Sequence, residues 1–378
     1  MTGLIRCVLP TFAACRLPFT TNPYFGGYGH SSVTAVPLAP SAQCCGHPAD
    51  GPGGTAAGAD CDHAHMRITV LAGGIGAARF LRGLLAHLAP ASPGSEVTVI
   101  GNTGDDITLF GLHVSPDLDS VLYGLAGLND TERGWGRAGE TWQALESVRA
   151  WGGEGWFMLG DLDIGLHLVR SQALREGDPL SAVTARLTEA AGIATRLIPA
   201  TDGRLRTLVV TPAGTFAFQE WFVARRHADP VDALVYDGAE TTAPAPGVLD
   251  AIREADAIVV APSNPYVSIH PILAVPGIRA ALGGRAVRSV AVSPLIGGVA
   301  VRGPLDRMML RLAGGTSPDH VAGCYDGLLD SLVIDRADAP ATVAGDVGVV
   351  VTDTLMSDRE AARRHAHSTR EAPMDGRS

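Results

Sequence analysis

Residues 67–88 read RITVLAGGIGAARFLRGLLAHL. After Arg67 comes a near-continuous apolar run, the pattern of a strand buried on both faces. Glycines at 73, 74 and 76 follow, and apolar residues then return at helical spacing. A strand passed to a helix through a glycine turn is where α/β proteins hold phosphates. The stretch departs from the dinucleotide fingerprint GxGxxG, because Arg79 stands where the third glycine belongs. Two readings are open. Gly73, Gly74 and Gly76 bring backbone amides up to a phosphate while Arg79 adds charge, or they form a tight corner beside a surface arginine.

Outward from this unit the chain alternates. Strand 96–101 ends in the polar turn NTGDD, and a helix is expected after Pro116. Helical patterns follow near 140–151, 164–176 and 180–191. The block from Thr195 to Val223 alternates like antiparallel strands, with turns expected at Asp202–Gly203 and at 212–214. Buried strands recur at 256–261 and 287–293, and two apolar runs at 329–334 and 347–352 complete the pattern. This predicts an α/β, doubly wound, mostly parallel sheet of Rossmann-like type with an inserted helical and β-hairpin cap. The core is expected over 66–130 and 246–352 and the cap over about 131–245, together making one domain from 66 to 357.

Residues 1–65 lack periodicity and are rich in Pro, Gly, Ser, Thr and Ala, so they are expected to be a disordered extension or a mis-assigned start, with Met66 the natural first residue. Residues 358–378 form a charged tail. Five of the six cysteines precede Met66, so no disulfide framework is expected in the globular part. The net charge of -10 argues against a nucleic-acid binder. No run is long enough to span a membrane, and the protein is expected in the cytoplasm. Every basic Lys or Arg position is arginine, which excludes a lysine P-loop and Schiff-base catalysis.

In a doubly wound sheet, ligands bind beyond the carboxyl ends of the strands. The second such loop carries Asp105, Asp106, Asp117 and Asp119. Carboxylates this close repel one another unless a cation or proton shares the site, and oxygen ligands suit magnesium. Asp117 taken alone also reads as a helix-start acid after Ser115-Pro116. A third segment places Asp161 and Asp163 before His167 and Arg170; positions 163, 167 and 170 share one helix face, to grip a phosphate or to meet solvent. Ser263 and Asn264, and then Ser293, close two further buried strands and offer donors at the sheet edge, as turn residues also would. Trp135, Trp142, Trp156 and Trp221 suit a flat-ring ligand, although tryptophans also pack cores.

Taken together, the motifs LAGGIGAARFL, GNTGDD, SPDLDSVLY, RGWG with ETW, LGDLDIGLHLVR, FQEWFV, APSNPYVSI and SPLIGG resemble the 2-phospho-L-lactate transferase family of coenzyme F-420 biosynthesis, especially its actinobacterial phosphoenolpyruvate transferases. The resemblance implies transfer of a phosphoenolpyruvyl or phospholactyl unit from a guanosine-diphosphate-linked donor. The acceptor would be the ribityl hydroxyl of 7,8-didemethyl-8-hydroxy-5-deazariboflavin (Fo), with GMP leaving and a homodimer as the assembly. By the same resemblance Gly73, Gly74 and Gly76 would cradle the phosphates and the Ser263-Asn264 loop would hold the nucleotide. Asp106 and Asp117 would bind magnesium. Asp119 would be the catalytic residue at the acceptor hydroxyl, orienting it or taking its proton, and His167 and Arg170 would support the transferred phosphate or carboxylate. The chain departs from the family pattern at Leu162 and Leu166, where the family often has polar residues.

Overall fold

A computed structural model describes residues 65–356; the extension, His65 apart, and the charged tail lie outside the described residues. Strand β1 (Arg67–Ala72) runs into α1 (Gly74–Ala91) and then β2 (Glu96–Gly101). The hairpin β3 (Ile107–Leu109) and β4 (Leu112–Val114) precedes α2 (Pro116–Ala126), α3 (Gln143–Ala150), α4 (Asp161–Arg175) and α5 (Leu180–Ala190). After β5 (Arg196–Pro199) come β6 (Arg206–Thr211), β7 (Gly214–Ala217), a π-helical turn at Glu220–Ala224 and β8 (Ala233–Asp237). The second half contains α6 (Val248–Arg253), β9 (Ala257–Val260), a π-turn at Pro265–Ile269, α7 (His270–Ala274) and α8 (Ile278–Gly283). It closes with β10 (Ser289–Val292), the hairpin β11 (Leu295–Ile296) and β12 (Val299–Ala300), α9 (Leu305–Leu312), α10 (Pro318–Gly323), β13 (Ser331–Asp335) and β14 (Gly348–Thr352).

Seven of these strands form one parallel sheet in the order β14-β13-β10-β9-β1-β2-β5. Its direction of growth reverses between β1 and β9, so the sheet is doubly wound as expected. The period of two along each strand divides the core between the faces. Ile68, Val70 and Ala72 of β1 pack with Phe80 and Leu84 of α1 and Leu118 and Val121 of α2. Leu71 faces the other way, into the layer holding Ile272, Ile278 and Val321. At about 25 cal/mol per Å² of apolar surface, this two-sided burial is the main force that orders the strands.

The alternating block from Thr195 to Val223 resolves differently from its sequence pattern. β6 and β7 do form a hairpin across 212–213, and β8 completes that antiparallel sheet. β5, however, pairs in parallel with β2 at the edge of the main sheet. Asp202–Gly203 is therefore not a hairpin turn; the Asp202 carboxylate accepts from the N–H (2.6 Å) and hydroxyl (2.9 Å) of Ser181 at the start of α5. Alternation reports one buried face and says nothing of which strand lies alongside. The segment expected to be cap thus contributes one strand to the core sheet.

Candidate functional site

Where β1 and β9 lie side by side, the chain leaves them toward opposite faces, which opens a crevice at their carboxyl ends. A cavity of about 770 Å³ occupies it. Gly73, Gly74, Gly76 and Arg79 line it from the β1 loop, Asp105, Asp117 and Asp119 from the β2 loop, and Ser263, Asn264 and Ser293 from the loops after β9 and β10.

The glycine turn is pressed into its surroundings. Gly74 adopts φ of 72°, a left-handed conformation that favours glycine. A Cβ on Gly73 would strike the Asp117 carboxylate and come within 2.7 Å of the Ser268 Cβ; one on Gly76 would lie 2.5 Å from the Pro262 carbonyl oxygen. Ser263 pins the turn, accepting from the Gly73 N–H (3.2 Å) and donating to the Gly73 carbonyl (2.8 Å). Helix α1 starts without a side-chain cap, so its first amides and its dipole are available to an anion in the cavity. The Asn264 side chain is committed to its own turn, accepting from the Tyr266 N–H at 3.0 Å, and the Ser293 hydroxyl accepts from the Leu295 N–H at 3.2 Å.

Beside the turn lies the acidic cluster. The Asn102 amide donates to Asp105 (3.3 Å), Asp117 (2.9 Å) and the Val267 carbonyl (3.0 Å), and Gln219 donates to the other oxygen of Asp105 (2.9 Å). Asp106 lies behind the cavity wall: one oxygen takes the His113 ring and the Ser115 hydroxyl, each at 2.9 Å, and its buried Oδ1 has no partner among the described residues. Burial, reinforced by Asp117 and Asp106, pushes Asp105 well above the usual carboxylate range. Burial likewise raises Asp106 and pushes Asp117 up to about 6. Among the described residues no three His, Cys, Asp or Glu side chains form a metal cage by themselves. The donors instead fit magnesium's habit of taking one or two carboxylates together with substrate phosphates. The unpartnered Asp106 oxygen and the crowding of negative charge are what a cation would relieve.

Asp119 sits apart from this cluster. Arg170, 1 % exposed, reaches both its oxygens: Nη1 donates to Oδ2 at 3.0 Å and Nη2 to Oδ1. Burial alone would raise Asp119, but the Arg170 guanidinium outweighs it and holds the carboxyl below its usual range. Arg170 therefore binds Asp119 and does not line the cavity, contrary to its expected place at the transferred group. Asp161 is also displaced from its expected role. It accepts from the Thr141 hydroxyl and from the N–H groups of Gln143 (3.1 Å) and Ala144 (3.0 Å), capping α3. Asp163 and His167 do line the cavity.

A sequence model of the family described as 2-phospho-L-lactate transferase CofD matches residues 68–374. The chain belongs to this family. It is similar to the phosphoenolpyruvate transferase of Thermobifida fusca, with 50% identity over 78% of this chain and 94% of that protein. Similarity to the Streptomyces coelicolor phosphoenolpyruvate transferase is 47% over 80% and 96%. Among solved structures, a Bacillus halodurans protein, BH3568, shares the fold with TM-score 0.51 at 17% identity, covering 77% of this chain and 93% of that one. The chain is accordingly a transferase enzyme.

In this CofD-family transferase the two departures, Leu162 and Leu166, cost the cavity nothing. Leu162 is exposed and Leu166 packs against the core; neither reaches the cavity wall. Of Trp135, Trp142, Trp156 and Trp221, only Trp135 lines the cavity. Trp221 is buried in the core, its ring N–H donating to the Asp229 carbonyl at 3.1 Å, and Trp156 packs edge-on against Phe157. The aromatic wall comes instead from Tyr123, Phe157, Phe218 and Phe222, the last two stacked at 5.3 Å. Sequence reasoning missed these residues and Gln219. Phe218, Gln219 and Phe222 stand in the FQEWFV motif, whose π-helical turn no standard periodicity reveals.

Proposed function

We propose that this enzyme transfers a phosphoenolpyruvyl unit, or its 2-phospho-L-lactyl counterpart, from a guanosine-diphosphate-linked donor to the ribityl hydroxyl of Fo, releasing GMP. Membership of the family supports the reaction class, and the names of the relatives favour the enolpyruvyl donor. The observation that carries the reading is the meeting, at one sheet edge, of an anion-receiving glycine turn, an under-satisfied acid cluster and an apolar, aromatic cavity.

Phosphoryl transfer asks chiefly for positioning and charge neutralisation. In this reading Gly73, Gly74 and Gly76 receive the donor's pyrophosphate, Arg79 adds positive charge, and Ser263, Asn264 and Ser293 shape the nucleotide side. Asp106 and Asp117 would hold magnesium, which when bound offsets the phosphate charge. Asp119, kept ionised by Arg170, supplies negative charge beside the acceptor alcohol, and His167 supports the transferred group. The aromatic wall takes the deazaflavin ring.

The test is direct. Purified enzyme is incubated with Fo, magnesium and each guanosine-linked donor, and products are weighed by mass spectrometry. Fo gaining the mass of the phosphoenolpyruvyl or phospholactyl unit, with GMP formed in equal amount, supports the reading; unchanged Fo with both donors overturns it.

A further inference from the structure

We infer that Asp163, held in place by Tyr123, is the group that takes the proton from the acceptor hydroxyl. The inference rests on the proposed alcohol-accepting transfer and assigns a role within it.

The cavity offers few carboxylate or imidazole atoms able to receive a proton. Asp119 is occupied: Arg170 donates to both of its oxygens, and the Ser115 N–H adds a third contact at 3.3 Å. Asp105 has both oxygens held, by Asn102 and Gln219. His167 Nδ1 lies 3.2 Å from Arg170 Nη1. A guanidinium can only donate, so Nδ1 carries the lone pair and the ring proton is on Nε2. The 3.8 Å approach of the same nitrogen to Asp119 suggests a charged imidazolium instead, but the Arg170 contact is shorter and burial lowers the ring's proton affinity. His167 is thus a neutral donor, and neither of its nitrogens is free to accept.

Asp163 differs from all of these. Its Oδ1 accepts from the Tyr123 hydroxyl at 2.6 Å, while its Oδ2 has no protein partner among the described residues. Both Asp163 and Tyr123 line the cavity. The backbone that carries it is pinned, because Glu140 accepts from the Leu162 and Asp163 N–H groups at 2.8 Å each and so caps α4. The groups facing it are Glu140 from the segment before α3, Asp119 and Tyr123 from α2, and His167 from its own helix. Burial raises its proton affinity, the Tyr123 hydrogen bond lowers it, and Glu140 raises it again, for a net rise. A cavity carboxyl raised above its usual range is a stronger base than a free one, as general-base work requires.

The step balances. The acceptor O–H bond breaks and its proton passes to Asp163 Oδ2. The freed electron pair forms the new oxygen–phosphorus bond, and the bond from phosphorus to the GMP oxygen breaks with its pair leaving on GMP. Asp163 then returns the proton to water.

Asp163→Asn should lower kcat by about 10²–10³-fold with KM nearly unchanged and thermal stability retained, and Asp163→Glu should restore part of the loss. Tyr123→Phe removes a donor that favours the ionised form, so the acidic limb of the kcat profile should move to higher pH. Carbon-13 NMR of labelled aspartate, assigned by the signal lost in D163N, should show the same upward move without substrate. A D163N enzyme within a few-fold of wild-type kcat overturns the assignment while leaving the transferase reading intact, as does an Asp163 signal unmoved by Tyr123→Phe. A wild-type enzyme that transfers to no alcohol overturns both.

Discussion

The two ends of the parallel sheet both carry aspartates, and they treat them in opposite ways. At the amino end, Asp330 precedes β13 and Asp256 precedes β9. Asp330 accepts from the Ser289 N–H (2.8 Å), Arg285 (2.9 Å) and Arg288 (3.0 Å), and Asp256 accepts from the Arg67 N–H (2.8 Å). Both carboxyls are held below their usual range. At the carboxyl end, Asp105, Asp106 and Asp117 are buried close together, served by amides, hydroxyls and, on Asp106, the His113 ring; among the described residues no arginine contacts Asp105 or Asp117, and all three are raised. The amino end uses its acids to bind strands into a sheet; the carboxyl end leaves buried negative charge only partly balanced. A stability cost concentrated where α/β sheets bind ligands marks function more sharply than any single residue does.

Removing an acid should therefore have opposite consequences at the two ends. Asp117→Asn is expected to give the largest effect, a loss of turnover of about 10³-fold, as several kcal/mol of transition-state charge stabilisation disappears. The same variant without metal should melt slightly higher than wild type, by about 2 °C, because one buried like charge is gone while the amide oxygen still accepts from Asn102. Paired kinetic and calorimetric measurements check this; retained turnover would break the contrast. Next comes Gly76→Ala. Its Cβ would meet the Pro262 backbone oxygen at 2.5 Å, and backbone yields less readily than a side-chain tip. Overpacking of this kind costs about 1–3 kcal/mol, read from urea unfolding, together with a loss of guanine nucleotide affinity read by titration calorimetry.

Most of the carboxyl end was legible in the chain itself, for a physical reason. Glycine turns, clustered acids and strands that end in Ser or Asn are local signals, and Gly73, Gly74, Gly76, Asp117 and Asp119 all reach the cavity. What escaped was non-local. Arg170 shares a helix face with Asp163 and His167, yet only the tertiary placement of α4 decides that its guanidinium meets Asp119 instead of solvent or substrate. Asp161 reads like its neighbour Asp163 but turns back to cap α3. β5 and β6 stand in one block and still join different sheets: β5 is buried at three successive positions in the parallel sheet, while β6 alternates in the antiparallel one. Phe218 stands just before a π-helical turn and Phe222 within it, where neither a period of 3.6 nor one of 2 applies.

The amino end supplies the smaller tests. Asp330→Ala should cost about 1–3 kcal/mol of stability, since charged hydrogen bonds are lost and the Ser289 N–H is left without its acceptor, with kcat unchanged. Its pH dependence sharpens the contrast further. Burial works against the ionised carboxyl, but the Ser289 N–H and the two arginines prevail, and the folded value lies below the unfolded one of about 3.9. An acid shifted in this direction contributes fully above the unfolded value and loses that contribution as pH falls from there through the folded value, because over that range the unfolded state takes up the proton first. The stability gap between wild type and Asp330→Ala should therefore be constant from pH about 7 to about 5 and shrink below pH about 4. Urea midpoints across that range measure it. A gap that persists unchanged at the acid end would mean that Asp330 acts through packing, and the two ends of the sheet would no longer differ in the way they use charge.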